Sequence, residues 1–391
     1  MSQCDRLALA VALAAVACQP SEPPSGGTEV GSTSSASSTG DGGTTVVEPA
    51  TSDTGADSST GEVIGTGTST GEEELRFPRV VAIGDMHGDL DNAQAALMLA
   101  GAIDETGAWI GGDQLAIVQV GDLIDRGLDN RPLMDYMRQL AAEAEAAGGA
   151  MHSLLGNHET QNVREDQAMN YLAAYAHAET LAQFDDIEWD EAYIAQIEAK
   201  YGIPDPEDFE YLTYTEQELQ TTPDEWKGHL TAYHPGGPYA EYFAERDVIL
   251  ILQRTLYVHG GVLPWHVEYG IDNINSDVRQ WLLGKAPMPY DLVASSTDGP
   301  LWTRVLSDTE FEPRGDRVRN YCEIVSEVLT ALDVDRMVVG HSVRYDLAAD
   351  CDNQLIMIDV GMSSYYLPWG GGEIKMLEIV DGDQLAVIEE P

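Results

Sequence analysis

The chain has 391 residues, of which 67 are acidic and 20 are basic, and its formal net charge is −47 at pH 7. This charge argues against nucleic-acid binding, because a protein that contacts a phosphate backbone needs a basic surface. A surface this acidic keeps a protein soluble, and it suits a salty medium in which charges are screened within about 3–10 Å.

The first 18 residues have the pattern of a bacterial export signal. Arg6 precedes a continuous apolar run over residues 7–17, which is shorter than the about 20 residues of a membrane-spanning helix. The letters AVAC, ending at Cys18, resemble a lipobox, in which the cysteine carries a lipid and becomes the mature N-terminus. The sequence therefore predicts an exported lipoprotein of the periplasm or cell surface, and secretion without a lipid is the alternative.

Residues 19–76 differ sharply from the rest of the chain. They are mainly Gly, Ser, Thr, Pro and acidic residues, and they contain no aromatic residue. Such a segment cannot bury enough apolar surface to offset its chain entropy, so a disordered linker is predicted. Apolar runs, Trp and Tyr begin near Phe77, and residues 77–391 are expected to form one α/β domain.

This domain is predicted to open with alternating strands and helices, a pattern that favours a largely parallel sheet. The apolar runs and the helical patterns predict strands over 79–83, 115–120 and 151–155, and helices over 90–101 and 131–147. Residues 160–245 are acidic and rich in Tyr, Ala and Glu, and they predict a helical insertion that could cover the site as a cap. Strands and helices then resume, with strands over 248–258, 337–339 and 355–360, helices over 267–283 and 315–332, and a hairpin over 373–389.

Five of the predicted strands end beside an Asp, Asn or His. Ligands bind beyond the carboxyl ends of strands in open α/β sheets, so these five polar clusters are expected to converge. In GDMHGD at 84–89, Asp85 and His87 are two residues apart and point to the same side of an extended chain. A carboxylate beside an imidazole suits iron, manganese or zinc better than magnesium.

The second and third clusters add carboxylates, an amide and a proton donor. In GDLIDRG at 121–127, Asp122 can bridge two cations, and Arg126 offers a planar fork of donors that matches a phosphate. In GNHE at 156–159, Asn157 can bind a metal without adding charge. His158 would lie beside the metals, held in orientation by Asp125, and a protonated histidine can act as a general acid.

His259 and His341 each follow an apolar run and complete the five clusters. The remaining histidines fit no such pattern and are interpreted as structural: His152, His177, His229, His234 and His266.

In this order, the blocks D-x-H, G-D-x-x-D, G-N-H-E, H and G-H resemble the calcineurin-like metallophosphoesterase superfamily over residues 79–361. The Arg-Gly pair after Asp125, and Val343 in place of a further histidine, resemble its phosphoprotein-phosphatase branch. The resemblance implies a layered α/β sandwich of mixed sheets flanked by helices.

Three further sequence segments resemble those of the Shewanella-like protein phosphatases: LWTR at 301–304, IDVGMS at 358–363 and PGGP at 235–238. Leu128 departs from this pattern, since proline often follows the Arg-Gly pair. Leucine in place of proline at this position affects the turn more than the catalytic chemistry.

The resemblance implies a role for each of these positions. The first metal would be held by Asp85, His87 and Asp122, and the second by Asp122, Asn157, His259 and His341. His158 and Asp125 would donate the proton, Arg126 and Arg304 would hold phosphate oxygens, and a water or hydroxide bridging the two metals would attack. Two cations can lower the pKa of such a water toward about 7 and stabilise the entering and leaving oxygens.

Two cysteines remain after the predicted processing, Cys322 and Cys351. In an exported protein they are predicted to form a disulfide, and two separate buried thiols are the alternative.

Together these features predict a metal-dependent phosphatase of phosphoproteins, with phosphotyrosine and phosphoserine or phosphothreonine both open. Hydrolysis of nucleotides or dinucleoside polyphosphates is the alternative enzymatic function. An inactive surface-binding lipoprotein is the alternative from another class, and it would require the loss of a ligand or of His158, both of which are present.

Overall fold

The computed structural model describes residues 75–205, 211–212, 214–215, 218–307 and 321–390. The predicted export signal, nearly all of the predicted linker and the start of the helix predicted over 315–332 lie outside these residues. Within the described ranges, no helix has the length and apolar character needed to cross a membrane.

The strands of the described residues lie close to the predicted positions. They are β1 Arg79–Ile83, β2 Leu115–Gln119, β3 Ala150–Ser153, β4 Ile249–Leu252, β5 Thr255–Val258, β6 Arg336–Val339, β7 Ala348–Asp350, β8 Leu355–Met357, β9 Lys375–Val380 and β10 Gln384–Glu389.

The helices fall into three groups along the described chain. Those between the first three strands are α1 Leu90–Leu99 and α2 Asn130–Ala146. Those between β3 and β4 are α3 Asn157–Val163, α4 Ala168–Tyr175, α5 Ala178–Ala182, α6 Glu191–Tyr201, α7 Asp224–Tyr233 and α8 Pro238–Phe243. Those after β5 are α9 Pro264–Tyr269, α10 Ile271–Leu282, α11 Tyr290–Val293 and α12 Tyr321–Leu332.

The strands form two mixed five-stranded sheets, with the orders β10-β9-β1-β2-β3 and β4-β5-β6-β8-β7. The predicted sandwich of mixed sheets flanked by helices is therefore confirmed. The parallel arrangement predicted for the opening strands is confirmed for β1, β2 and β3, but it does not extend to the whole domain. β1, β2 and β3 are parallel, but β5 and β6 pair in a separate sheet, and antiparallel strands border both parallel cores.

Side chains that alternate along the strands divide the core. Val80, Ala82 and Val118 join Val338 and Ile356 of the second sheet in one buried cluster. Their neighbours in the chain, including Val81 and Ile117, instead join a cluster that contains residues of α1 and α2. Because successive residues of a strand point to opposite faces, the two sheets pack against each other and helices cover the other face of the first sheet.

Two predicted elements are interrupted. The strand predicted over 248–258 is a hairpin, because Gln253 and Arg254 both have positive φ values, 49° and 63°. Two consecutive left-handed residues make the tight turn that matches the twist of paired strands. The helix predicted over 267–283 is two helices separated at Gly270, whose φ is 98°.

Cys322 and Cys351 form the predicted disulfide, with their Cα atoms 5.2 Å apart. The bond joins the first turn of α12 to the turn between β7 and β8. Closing this loop of 29 residues stabilises the fold by restricting the unfolded chain.

Candidate active site

The polar residues that follow five strands meet at one place between the two sheets. The first sheet contributes the residues after β1, β2 and β3, and the second contributes those after β5 and β6. Six side chains predicted as ligands are all buried there: Asp85, His87, Asp122, Asn157, His259 and His341.

Asp122 lies at the centre of this group. Its Oδ2 atom is 3.2 Å from Nε2 of His259 and 3.9 Å from Nε2 of His87. Nε2 of His259 is also 3.0 Å from Oδ1 of Asn157. One ligand atom each from Asp122, His259 and His341 lie within 4.8 Å of one another, as do those from His87, Asp122 and His158.

Tight backbone turns aim these side chains into the site. Five residues of the site that are not glycine have positive φ values between 45° and 69°: His87, Asp122, Asp125, Arg126 and His341. This left-handed conformation is uncommon for residues with a side chain and persists only where surrounding contacts impose it. At these five positions the conformation occurs where strands end and the chain must turn at once.

The electrostatics of the buried group suit a cation. Burial raises the pKa of Asp85 well above its usual value, and repulsion from Asp359 and Asp122 raises it further. Burial alone would also raise the pKa of Asp122, but His259 and His158 hold it well below its usual value. A metal ion would relieve the repulsion among these carboxylates.

The imidazoles are held in the neutral form that a metal needs. Burial lowers the pKa of His87 well below its usual value, and the nearby Arg126 lowers it further. Burial and then His259 lower the pKa of His341 in the same way. Backbone carbonyls of Ile124 and Val120 lie 3.2 Å and 3.1 Å from the Nδ1 atoms of His87 and His259, so Nε2 is the ring nitrogen of each that faces the site. The donors therefore fit divalent metal ions.

His158 and Asp125 form the pair that the sequence predicted. Nδ1 of His158 is 3.0 Å from Oδ2 of Asp125, and both side chains are buried. Nε2 of His158 faces the other way and lies 3.8 Å from Oδ2 of Asp122. The imidazole therefore connects Asp125 to the centre of the site.

The two predicted phosphate clamps occupy different positions. Arg126 places Nη1 2.7 Å from Nε2 of His87 and Nη2 3.2 Å from Nε2 of His158. Both terminal nitrogens of the guanidinium therefore face ring nitrogens of the site. Arg304 donates from Nη1 to the carbonyl of His341 and to Oγ of Ser342, each at 2.9 Å.

Comparison with known proteins identifies the family to which this arrangement of residues belongs. The Calcineurin-like phosphoesterase family matches residues 78–345. The chain is also 31% identical to Shewanella-like protein phosphatase 2 of Arabidopsis thaliana, over 73% of this chain and 71% of the relative. The chain belongs to the calcineurin-like phosphoesterase family. This phosphoesterase is therefore a metal-dependent phosphatase, a hydrolase of phosphoric monoesters, as the sequence predicted.

Two further proteins resemble this phosphoesterase. Shewanella-like protein phosphatase 1 of Plasmodium berghei is 24% identical to it over 73% of this chain and 68% of the relative. The crystal structure of a cold-active protein-tyrosine phosphatase of a psychrophilic Shewanella species matches it with a TM-score of 0.53 and 21% identity. That match covers 81% of each chain and supports the fold.

Sequence reasoning missed two residues that organise the phosphoesterase site. Glu159, which is fully buried, accepts hydrogen bonds from the backbone N–H groups of Asp122, Leu123 and Gly156 at 2.7–3.0 Å. Its position as the last residue of GNHE could have marked Glu159 as part of the site. The hydroxyl of Tyr366 contacts the guanidinium of Arg126 from 240 residues away, and no local pattern marks it.

Proposed function

We propose that this phosphatase acts on phosphoproteins through a centre of two metal ions, with His158 as the proton donor. The observation that carries the proposal is the convergence of six buried ligand side chains, with Asp122 at their centre, beside the hydrogen-bonded pair of His158 and Asp125. The name of the Arabidopsis relative supports a phosphoprotein as the natural substrate.

We assign the ligands as the sequence predicted. The first metal would be held by Asp85, His87 and Asp122, and the second would be held by Asp122, Asn157, His259 and His341. Mixed nitrogen and oxygen ligands suit manganese, iron or zinc. When bound, the ions supply charge neutralisation for the phosphate and a lowered pKa for a nearby water.

The residues of the chain handle the proton and the phosphate. Asp125 holds Nδ1 of His158, so that Nε2 is directed toward the site and can protonate the leaving oxygen as the P–O bond breaks. Arg126 has the reach and the planar geometry to hold two phosphate oxygens. Arg304, anchored beside His341, is the second clamp in this proposal.

A metal and substrate experiment tests the function. Complete chelation should abolish hydrolysis of an aryl phosphate, and added manganese should restore it. Metal-loaded protein should then hydrolyse phosphotyrosine or phosphoserine peptides faster than nucleotides or dinucleoside polyphosphates. Activity that survives full metal removal contradicts the metal centre, and a preference for nucleotides contradicts the phosphoprotein substrate.

The role of His158 can be tested separately. His158→Asn should keep both metal ions and lose roughly 10²–10⁴-fold in kcat, because only the general acid is removed. The ligand atoms of His158, His87 and Asp122 lie close enough to bind one ion, so metal content decides between the two roles. A variant that loses a metal ion would make His158 a ligand and contradict our assignment.

We also propose that the protein is an exported lipoprotein, on the pattern of its first 18 residues. Cys18→Ala should move the full-length protein from the membrane fraction to the soluble fraction of its host. An unchanged distribution contradicts the lipid anchor.

A further inference from the structure

The helical insertion between β3 and β4 contributes a side chain to the proton-donating pair. Tyr171 lies on α4, and its hydroxyl is 2.6 Å from Oδ2 of Asp125. The same hydroxyl contacts Nδ1 of His158, and the two rings have centroids 5.8 Å apart. Tyr171 is only 5% exposed, so this contact is shielded from water.

A second set of contacts joins the insertion to the same carboxylate oxygen. Nδ2 of Asn162 donates to Oδ2 of Asp125 at 2.9 Å. Nε2 of His229, which lies on α7, is 2.9 Å from Oδ1 of Asn162. Two helices of the insertion, α4 and α7, therefore support Asp125, one directly and one through Asn162.

The surroundings of the pair are closely packed. The cavity that Asp125, Tyr171 and His229 help to line has a volume of about 10 Å³, which has room for about one water molecule at most. In such a low-dielectric region hydrogen bonds are stronger, and an unpaired carboxylate would be strongly disfavoured. Burial, followed by the nearby Asp125, raises the pKa of Tyr171 well above its usual value, so its hydroxyl keeps its proton.

In this geometry the hydroxyl of Tyr171 can orient Asp125 and, through it, His158. Because Tyr171 donates to Asp125, it fixes the carboxylate oxygen that orients Nδ1 of His158. With Nδ1 held there, Nε2 is aimed at the centre of the site. Free rotation of Asp125 would let the imidazole turn, and proton transfer is sensitive to such errors in orientation.

We propose that Tyr171 is a positioning residue for proton donation, and that the helical insertion thereby completes the active site instead of only covering it. This inference rests on the proposed role of His158 as the general acid. Tyr171 acts through Asp125 and His158 and is not itself assigned contact with the substrate.

Tyr171→Phe tests the inference because it removes only the hydroxyl. An alkyl or phenyl phosphate has a poor leaving group and needs the proton, whereas a dinitrophenyl phosphate does not. We expect kcat to fall roughly 10-fold for the poor leaving group and to change little for the good one, with KM and metal content unchanged. Equal loss on both esters, a changed KM alone, or no loss at all would each overturn the proposal.

Tyr233→Phe is the matched control. Tyr233 is also buried in the insertion, but its hydroxyl faces the sulfur of Met134 at 3.8 Å and does not bond to Asp125 or His158. This variant also removes a buried tyrosine hydroxyl. It should show no leaving-group effect, that is, no selective fall in kcat for the ester with the poor leaving group. Comparable leaving-group effects in both variants would show a general loosening of the insertion and overturn the proposal.

His158→Asn separates failure of this inference from failure of the proposed function. If His158→Asn shows the leaving-group effect and Tyr171→Phe does not, only the inference fails. If His158→Asn shows none, the proposed general acid itself fails. In the His158→Asn background, Tyr171→Phe should have no further effect on kcat, and an undiminished 10-fold loss there would show that Tyr171 acts independently.

Discussion

At the scale of single residues, Glu159 connects two of the loops that carry proposed metal ligands. Its carboxylate accepts N–H groups from the loop after β2 and from the loop after β3. These bonds hold Asp122 in its left-handed conformation and place Asn157 beside it. Burial, with the repulsion of Asp122, raises the pKa of Glu159, and the backbone donors oppose that rise.

Glu159→Gln should weaken both the fold and the metal centre. The amide group of glutamine replaces one acceptor with a donor, which then faces backbone N–H groups and leaves at least one of them unpaired. We expect the free energy of unfolding to fall by about 1–3 kcal/mol, and metal affinity to fall about 10–100-fold. Chemical denaturation and metal titration measure these losses.

Glu145→Gln is the control for Glu159→Gln, because it removes the same charge from an exposed position on α2. It should leave stability and metal affinity unchanged. Equal effects of the two substitutions would mean that net charge, and not the hydrogen bonds of Glu159, sets the outcome.

At the scale of elements, His266 holds the start of α9. Its Nδ1 atom accepts a hydrogen bond from the backbone N–H of Leu263 at 2.8 Å, and the side chain is fully buried. Accepting that bond requires an unprotonated Nδ1. Burial lowers the pKa of His266 from 6.5 to about 4, which agrees with this requirement.

The pKa of His266 makes stability depend on pH in a defined direction. Between pH 6.5 and about 4 the unfolded chain binds a proton at His266 that the folded protein excludes. Stability contributed by this residue is therefore lost as the pH falls through that window, by at most about 3 kcal/mol. His266→Gln, with an acceptor that does not titrate, should lose correspondingly less over the same window in denaturation experiments. Parallel losses in the two proteins would contradict the assignment.

At the scale of the whole molecule, the charge of −47 is the dominant feature. The few cations of the described residues are often tied to carboxylates, as in the pairs of Arg254 with Asp335 and Arg279 with Asp247. Carboxylates far outnumber the cations that could pair with them, 67 against 20, so repulsion among like charges prevails. Their repulsion destabilises the compact state, and salt screens it.

Stability should therefore rise with salt. Raising NaCl from 0.01 M to 1 M shortens the screening length from about 30 Å to about 3 Å, and we expect the free energy of unfolding to rise by roughly 1–2 kcal/mol. Sucrose of equal osmolality is the control. It does not screen charge, so it measures only the stabilisation that comes from exclusion of a solute from the protein surface. Indifference to NaCl, or an equal gain in sucrose, would contradict an adaptation to salty media.

Local sequence patterns were enough to predict the strand ends, their polar clusters and the family. These signals are local. A strand followed by a tight turn confines Asp85 and His87, or Asn157 and His158, to one short stretch, so residue type and spacing already specify which side chains are presented.

The way in which these parts combine depends on contacts between distant segments. The clusters come from two sheets, because pairing of β5 with β6 depends on backbone contacts between distant segments. The hairpin turn at Gln253 lacks a local turn signal and is held by its side chain, which bonds to Phe77 176 residues away. Tyr171 reaches Asp125 in the same way, over 46 residues. Such contacts join segments far apart in the chain, and a local pattern shows which face of an element is buried but not which distant residue it meets.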